Sequence, residues 1–361
     1  MIIKEIKLDC FRSYEFLEIP INKGITLFYG DNGSGKSSII ESVFFSLTGK
    51  SFRTNDTNNL IQNEKTQTQS LLVFQNGESI KITKKNNKRP NILHNRGVKT
   101  ENFSKLVKKY PNCLIENKEF FFTTSNPEQK RNFLNKTLFY VEQTDALSLN
   151  YLKKIILQRA GCLKNKDLNQ IRYWDEKLVE IEPKVTKLNE RICSKINNCL
   201  NNSNLVSVFE EKNPWIRDLN IKYDPGYESS YQFFDVLAKN FEKDCILKRT
   251  SEGPHKRSFK IYLKNIDASE VLSRGQQKII SIIFHLIQRE IIIEHTNLTP
   301  ILLMDDISSE LDKENANLML KYLINNSVQT IMTSIGFSHF SDYNEVFLFH
   351  VEHNGECSNV K

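Results

Sequence analysis

Apolar residues along this chain come in two rhythms. Short runs mark strands: Gly24-Ile25-Thr26-Leu27-Phe28-Tyr29 near the start is apolar and β-prone, and Ile301-Leu302-Leu303-Met304 behind Thr299-Pro300 near the end suits a strand buried on both faces. Ile2 to Leu8 opens the chain as a further strand, and Gln329-Thr330-Ile331-Met332-Thr333 is another. Helical spacing follows the first run from Ser37 to Phe45 and begins again at Ile279. Between about Gln129 and Leu200 the helical rhythm takes over. Ile171, Trp174, Leu178, Ile181, Val185, Leu188 and Ile192 recur at intervals of three and four, and an earlier stripe carries Leu149, Leu152, Ile156 and Leu163. Joined near residues 164–167, the stripes predict an antiparallel helical pair. It is either the core of a lobe or a short protruding arm. The fold class expected is α/β: a P-loop mixed sheet forming a head from 1–128 and 201–361, with a mostly helical lobe at 129–200 inserted between its halves.

Between the first strand and its helix lies Gly30-Asp31-Asn32-Gly33-Ser34-Gly35-Lys36-Ser37-Ser38. Strand, glycine loop and helix in that order are the context in which a loop cradles phosphates on backbone N–H groups. The helix N-terminus adds a field that favours anions. Gly30, Asn32, Gly33, Ser34, Gly35, Lys36, Ser37 and Ser38 are therefore candidate ATP contacts. Lys36 is placed for the β- and γ-phosphates, and the Ser37 hydroxyl for Mg²⁺.

The distal strand ends in Asp305-Asp306, at the carboxyl end where α/β sheets hold ligands. Asp305 is the candidate Mg²⁺ partner and Asp306 the candidate for polarising the attacking water. Two Asp residues after a strand are, by themselves, ordinary turn formers; the pairing with Lys36 makes them catalytic candidates. Leu272-Ser273-Arg274-Gly275-Gln276-Gln277 precedes an apolar helix, so the Ser273 hydroxyl, the Gly275 N–H and Gln276 form a second phosphate-binding cap. The first cap already fills one set of phosphate contacts, so the second is expected to serve ATP bound by another copy of the chain. Ser309-Glu310-Leu311-Asp312 stands where a loop lining that seam is expected, and Thr333 or Ser334 where a γ-phosphate is sensed.

These motifs resemble the RecF family of recombination mediators, relatives of SMC proteins and ABC ATPases, nearly end to end. The resemblance takes in Cys10-Phe11-Arg12-Ser13-Tyr14, the P-loop, Gly49-Lys50-Ser51-Phe52-Arg53 and the stretch from Asn126 to Leu134. It is most specific at Leu272 to Lys278 and at Met304 to Asp312. It implies a slow, DNA-stimulated ATPase that uses ATP and Mg²⁺ and closes as an ATP-dependent homodimer on double-stranded and gapped DNA. It further implies action with RecO and RecR to help RecA assemble, and an Arg53 contact to nucleotide. Two segments depart from the pattern. Glu252 to Phe259 keeps Gly253-Pro254-His255 but has Arg257 and Ser258 where two acidic residues are usual, and Leu114 to Glu119 has Asn and Glu where Pro and Asp are usual.

Composition changes this picture chiefly through charge. The chain has 361 residues and a net charge of +7, but Lys81 to Lys109 alone holds ten Lys/Arg against Glu101. A strand entering a basic hairpin there, with Lys81, Lys84, Lys85, Lys88 and Arg89, is the candidate DNA contact. A solvated hairpin is the plainer alternative. Lys243 to Lys264 is a second basic cluster. Seven scattered cysteines without a C-x-x-C pair argue for reduced thiols and a cytoplasmic protein without a zinc site. The longest apolar stretch, Ser281 to Ile293, is interrupted by His285, Gln288, Arg289 and Glu290, and no signal peptide is expected. Two competing classes are weaker. An ABC transporter motor would carry a C-S-G-G-Q signature, and an ATP-gated defence nuclease would carry a further acidic metal-binding domain.

Overall fold

The computed structural model describes residues 2–94, 98–99, 103–116, 127–141, 146–307, 311–336 and 343–361. The chain forms two compact units, Met1–Phe120 with Asn297–Lys361, and Phe121–Thr296.

The first unit begins with strands β1 (Ile3–Phe11), β2 (Tyr14–Pro20) and β3 (Ile25–Tyr29), then helix α1 (Lys36–Thr48). Next come β4 (Gln67–Phe74), β5 (Ser79–Lys85), β6 (Asn91–His94), β7 (Val98–Lys99), α2 (Phe103–Lys109) and β8 (Asn112–Ile115). The second unit contains α3 (Pro127–Val141), α4 (Ala146–Asn165), α5 (Leu168–Asn202), α6 (Asn204–Glu210) and β9 (Leu219–Asp224). It continues with α7 (Phe233–Lys239), α8 (Phe241–Leu247), β10 (Ser258–Leu263), β11 (Ile266–Asp267), α9 (Ala268–Val271) and α10 (Arg274–Thr296). The chain then returns to the first unit for β12 (Ile301–Met304), α11 (Lys313–Asn325), β13 (Thr330–Ser334), β14 (Val346–His353) and β15 (Ser358–Val360).

In the first unit two sheets enclose α1. One is antiparallel, ordered β2-β1-β4-β5-β6-β7; the other is mixed, ordered β15-β14-β3-β13-β12-β8, with only the β15 pairing antiparallel. The helix packs against β1, β4 and β5 of one sheet and β12 and β13 of the other. That explains why apolar residues occur on more than one side of it, as a helix without a solvent face requires. Ile39, Ile40, Val43 and Leu47 are all buried there in one core cluster. Every residue of β12 is buried, as its unbroken apolar run predicts, and so is every residue of β13, although Thr330, Thr333 and Ser334 are polar.

β13 lies between β3 and β12, so the returning chain is threaded into the middle of the sheet that the first strands began. Its register sets Thr333 beside Phe28, Ser334 beside Tyr29 and Met332 beside Met304. The glycine loop after β3 and the Asp pair after β12 are thereby brought to the same sheet end.

The second unit contains the antiparallel helical pair. α4 and α5 pack together through Leu152, Ile155, Leu178 and Val185, and Phe233, Val236 and Leu237 of α7 complete that cluster. Asp167 starts α5 by accepting from Gln170 N at 3.1 Å, a cap that satisfies a helix-end donor. Arg159 of α4 is fully buried and bonds Asp175 of α5 at 2.5 Å and Asp244 of α8 at 2.6 Å. Such a pair is tolerated in the interior because each charge is met.

This unit is larger than the 129–200 lobe expected from the helical stripes. Residues 201–296, expected with the head, belong to it instead. The reason is tertiary: β9 pairs with β10 and packs on α5, while α10 packs on α3 and α5.

Candidate functional site

The loop that follows β3 owes its shape to glycine. Gly35 sits at φ 109°, and a Cβ there would lie 2.4 Å from Ser358 Oγ and 2.9 Å from the Tyr14 hydroxyl. Both the left-handed backbone and the space exclude a side chain. Gly33 is at φ 83° in open space, so there the backbone alone makes the demand. Gly30 closes the end of β3 against Val351 O, Ser34 is buried, and Asp31 and Asn32 face solvent.

Lys36, the first residue of α1, is buried within this loop. Its ammonium donates to Gly30 O at 2.7 Å and to Asp31 O at 2.6 Å. Burial lowers its pKa, and the negative charges of Asp306, Asp305 and Asp31 oppose the shift. The cation is therefore held in the cradle with three aspartates in its field. Ser37 bonds the Asp305 carboxylate through its side chain. Ser38 lies in the first turn of α1, its N–H bonded to Gly35 O at 3.0 Å.

Thr333 of β13 ties the two aspartates together. Its hydroxyl donates to Asp305 Oδ1 at 2.7 Å and accepts the backbone N–H of Asp306 at 2.8 Å. Asp306 adopts φ 55°, the left-handed conformation that Asp tolerates better than most residues. Burial raises the pKa of Asp305; hydrogen bonds from Thr333 and Ser37 and the charge of Arg53 oppose this, and Asp306 adds to it. A hydroxyl and a carboxylate held together beside a phosphate cradle fit Mg²⁺, which takes one or two protein oxygens and fills its shell with phosphate and water.

Beside the loop is a cleft of about 650 Å³ whose lining includes Arg12, Ser38, Arg53, Gln62, His353 and Cys357. Arg53 is half-exposed there, its Nη1 3.8 Å from Glu41 Oε2. So Lys36, Ser37, Ser38, Arg53, Asp305, Asp306 and Thr333 are gathered in one unit from both ends of the chain.

The signature residues belong to the second unit rather than to the head. Ser273 and Gln276 form a reciprocal cap on α10: Ser273 N donates to Gln276 Oε1 at 2.9 Å, and Gln276 N to Ser273 Oγ at 3.3 Å. The serine oxygen accepts in this cap, which leaves its own proton to donate. Ser273, Arg274 and Gly275 are exposed. Of the expected seam loop, Ser309 and Glu310 lie outside the described residues. Asp312 N-caps α11 by accepting from Asn315 N at 2.8 Å.

One DNA candidate is corrected. Lys84 is only 2% exposed, and its ammonium donates to Asn58 Oδ1 at 2.6 Å and to Lys85 O and Lys88 O at 2.8 Å. It fastens the β5–β6 turn from inside and cannot also meet a phosphate. Lys85, Lys88 and Arg89 are exposed on that turn and Lys81 is half-buried on β5. In the second basic cluster Arg257 is also buried, donating to Pro254 O at 3.0 Å and to Asn135 Oδ1. Desolvation lowers its pKa to about 10 and that of neighbouring His255 to about 4.

Sequence reasoning missed Glu41. It is fully buried on α1, and Arg12, Ser51 and Arg53 all converge on it. The available signal was a carboxylate in the apolar stretch Ile39-Ile40-Glu41-Ser42-Val43.

A family model described as the RecF/RecN/SMC N-terminal domain matches residues 2–358. The DNA replication and repair protein RecF of Pseudoalteromonas translucida is 29% identical, with 98% of each chain covered. That of Shewanella oneidensis is 26% identical, also with 98% of each covered. A solved structure of the recombination mediator RecF with ATP, in the RecFOR pathway, superposes with a TM-score of 0.79 at 23% identity over 99% of each chain. An SMC head bound to the C-terminal winged-helix domain of ScpA superposes with a TM-score of 0.58 at 17% identity, covering 100% of this chain and 97% of that one. Both likenesses bear on the fold. No helix among the described residues is long and apolar enough to cross a membrane.

Proposed function

The chain belongs to the RecF/RecN/SMC N-terminal domain family, and from that premise we propose that it is a RecF-type ATPase of recombinational DNA repair. It binds ATP with Mg²⁺, closes as a head-to-head dimer around the nucleotide on DNA, and hydrolyses it slowly. The observation that carries this reading is the Thr333 hydroxyl, which bonds Asp305 and the Asp306 backbone at once beside the Lys36 loop. The relatives named for DNA replication and repair, and the ATP-bound RecF of the RecFOR pathway, support the biological setting. Action on gapped DNA with RecO and RecR, in aid of RecA, is part of the same proposal.

Each residue has a separable task. The loop N–H groups and Lys36 bind the phosphates. Ser37 and Asp305 would hold Mg²⁺, which when bound neutralises charge on the β- and γ-phosphates. Asp306 accepts hydrogen bonds from the attacking water and orients it, while Thr333 holds the Asp305 carboxylate and the Asp306 backbone in place. Ser273 and the Gly275 N–H of one copy donate to the γ-phosphate held by the other.

Ser273→Arg tests the trans contact. It puts bulk and charge where the partner's phosphate must dock, so ATP-induced dimerisation, followed by light scattering, is expected to be lost while ATP still binds the monomer. Dimerisation that survives unchanged would leave the Ser273–Gln276 pair as a helix cap only.

The DNA surface is read through salt. Each phosphate contact on duplex contributes about −0.9 to the slope of log affinity against log salt. Lys85, Lys88 and Arg89 replaced together by alanine should flatten that slope by up to about 3 and weaken binding on every sequence alike. Lys84 is left intact, because removing it would open the turn. An unaltered slope would make the hairpin a solvated one.

A further inference from the structure

The cluster around Glu41 has a task that the loop, the aspartates and the signature leave unassigned. Glu41 lies on α1 beyond Lys36 and Ser37, with no solvent exposure. Arg12, in the turn between β1 and β2, grips it with two bonds: Nε to Oε2 at 2.9 Å and Nη2 to Oε1 at 2.8 Å. Ser51 Oγ donates to Oε1 at 2.5 Å, and the same hydroxyl accepts the backbone N–H groups of Arg53 and Thr54, each at 3.0 Å. The carboxylate is thus locked by Arg12 on one side and holds the turn that carries Arg53 on the other.

The two arginines are not equivalent. Arg12 spends its planar fork on Glu41 and is mostly buried, whereas Arg53 has 47% of its side chain exposed and meets Glu41 only at 3.8 Å. That separation is an ion pair without a hydrogen bond. Arg53 therefore keeps its donors for an anion in the cleft that it lines with Ser38. One carboxylate between two guanidiniums also leaves the group with a net positive charge facing that cleft.

We propose that Glu41 is a positioning residue for nucleotide binding: through Ser51 and its own charge it presents the Arg53 guanidinium to the polyphosphate of ATP. This rests on the reading of the Lys36 loop as an ATP site. If Glu41 acts through Arg53, removing it matters only while Arg53 is present. Groups that share one interaction are non-additive, and independent groups add.

The test is a double-mutant cycle on the full chain, read as the dissociation constant for a fluorescent ATP analogue. Glu41→Gln and Arg53→Ala are each expected to weaken binding about tenfold, the scale of one charge-assisted contact. The double variant should be no weaker than Arg53→Ala alone. Equal loss from Glu41→Gln in both backgrounds, or no loss in either, would overturn the proposal and leave Glu41 as a structural tie. Should Glu41→Gln fail to fold, Ser51→Ala takes its place in the cycle with the same expected coupling. Lys36→Ala in the same assay separates the two failures. If it binds the analogue normally, the ATP site itself is misplaced; if it loses binding while the cycle is additive, only the role of Glu41 falls.

Discussion

Lys36→Ala is expected to lower ATP affinity by about 100-fold or more. A hydrogen bond to a charged group is worth about 1.5–3 kcal/mol net, and the ammonium is placed to meet two phosphates, for a combined loss of about 3–6 kcal/mol. Each 1.4 kcal/mol corresponds to about tenfold. The ammonium donates to Gly30 O and Asp31 O, so exchanging those bonds for phosphate contacts offsets part of the gain. That offset is the reason for taking the lower end of the range. The same two bonds brace the loop, so thermal unfolding should be followed alongside the titration to separate a lost contact from a lost fold. Lys36→Arg keeps the charge but changes the geometry from a point donor to a planar fork, so it should retain more binding than alanine while hydrolysing poorly. ATP binding unchanged in the alanine variant would remove the phosphate-loop assignment altogether.

What was legible in the sequence was what is local. Glycine spacing between an apolar strand and a helix specifies the loop around Gly33 and Gly35, because both take positive φ, which strains a residue with a side chain. The unbroken apolar run of β12 announces a strand buried on both faces, and it is one; β13, with polar Thr330, Thr333 and Ser334, is legible only as a strand, yet it is buried throughout. Legibility ended where side chains answer to distant partners. Lys84 looked like one more cation of a basic hairpin, but the Asn58 carboxamide, 26 positions earlier, draws it inside. Glu41 went unread in the sequence, because its meaning depends on Arg12 and Ser51 arriving from two other turns. The boundary at residue 200 failed for the same reason. A change from helical to mixed pattern says nothing about whether β9 and β10 will pack on α5 or elsewhere.

Asp306→Asn should leave ATP binding close to normal and cut hydrolysis by about 100-fold or more, the scale of general acid–base assistance. The substitution is nearly isosteric. The backbone N–H of Asp306 keeps its bond to Thr333, and Asp305 keeps its contacts to Thr333 and Ser37. What changes is the acceptor that orients the attacking water. Asp305→Asn should act differently: it removes the carboxylate that would hold Mg²⁺, so the concentration of Mg²⁺ needed for activity should rise along with the loss of turnover. Measured as single-turnover hydrolysis against Mg²⁺ concentration, the two variants separate binding of the ion from handling of the water. In the Asp306→Asn protein the ATP-closed dimer should persist, and its lifetime on DNA, followed by dissociation after dilution, should lengthen in step with slower hydrolysis. Normal hydrolysis by Asp306→Asn, with turnover lost only in Asp305→Asn, would assign the water-orienting role to another group.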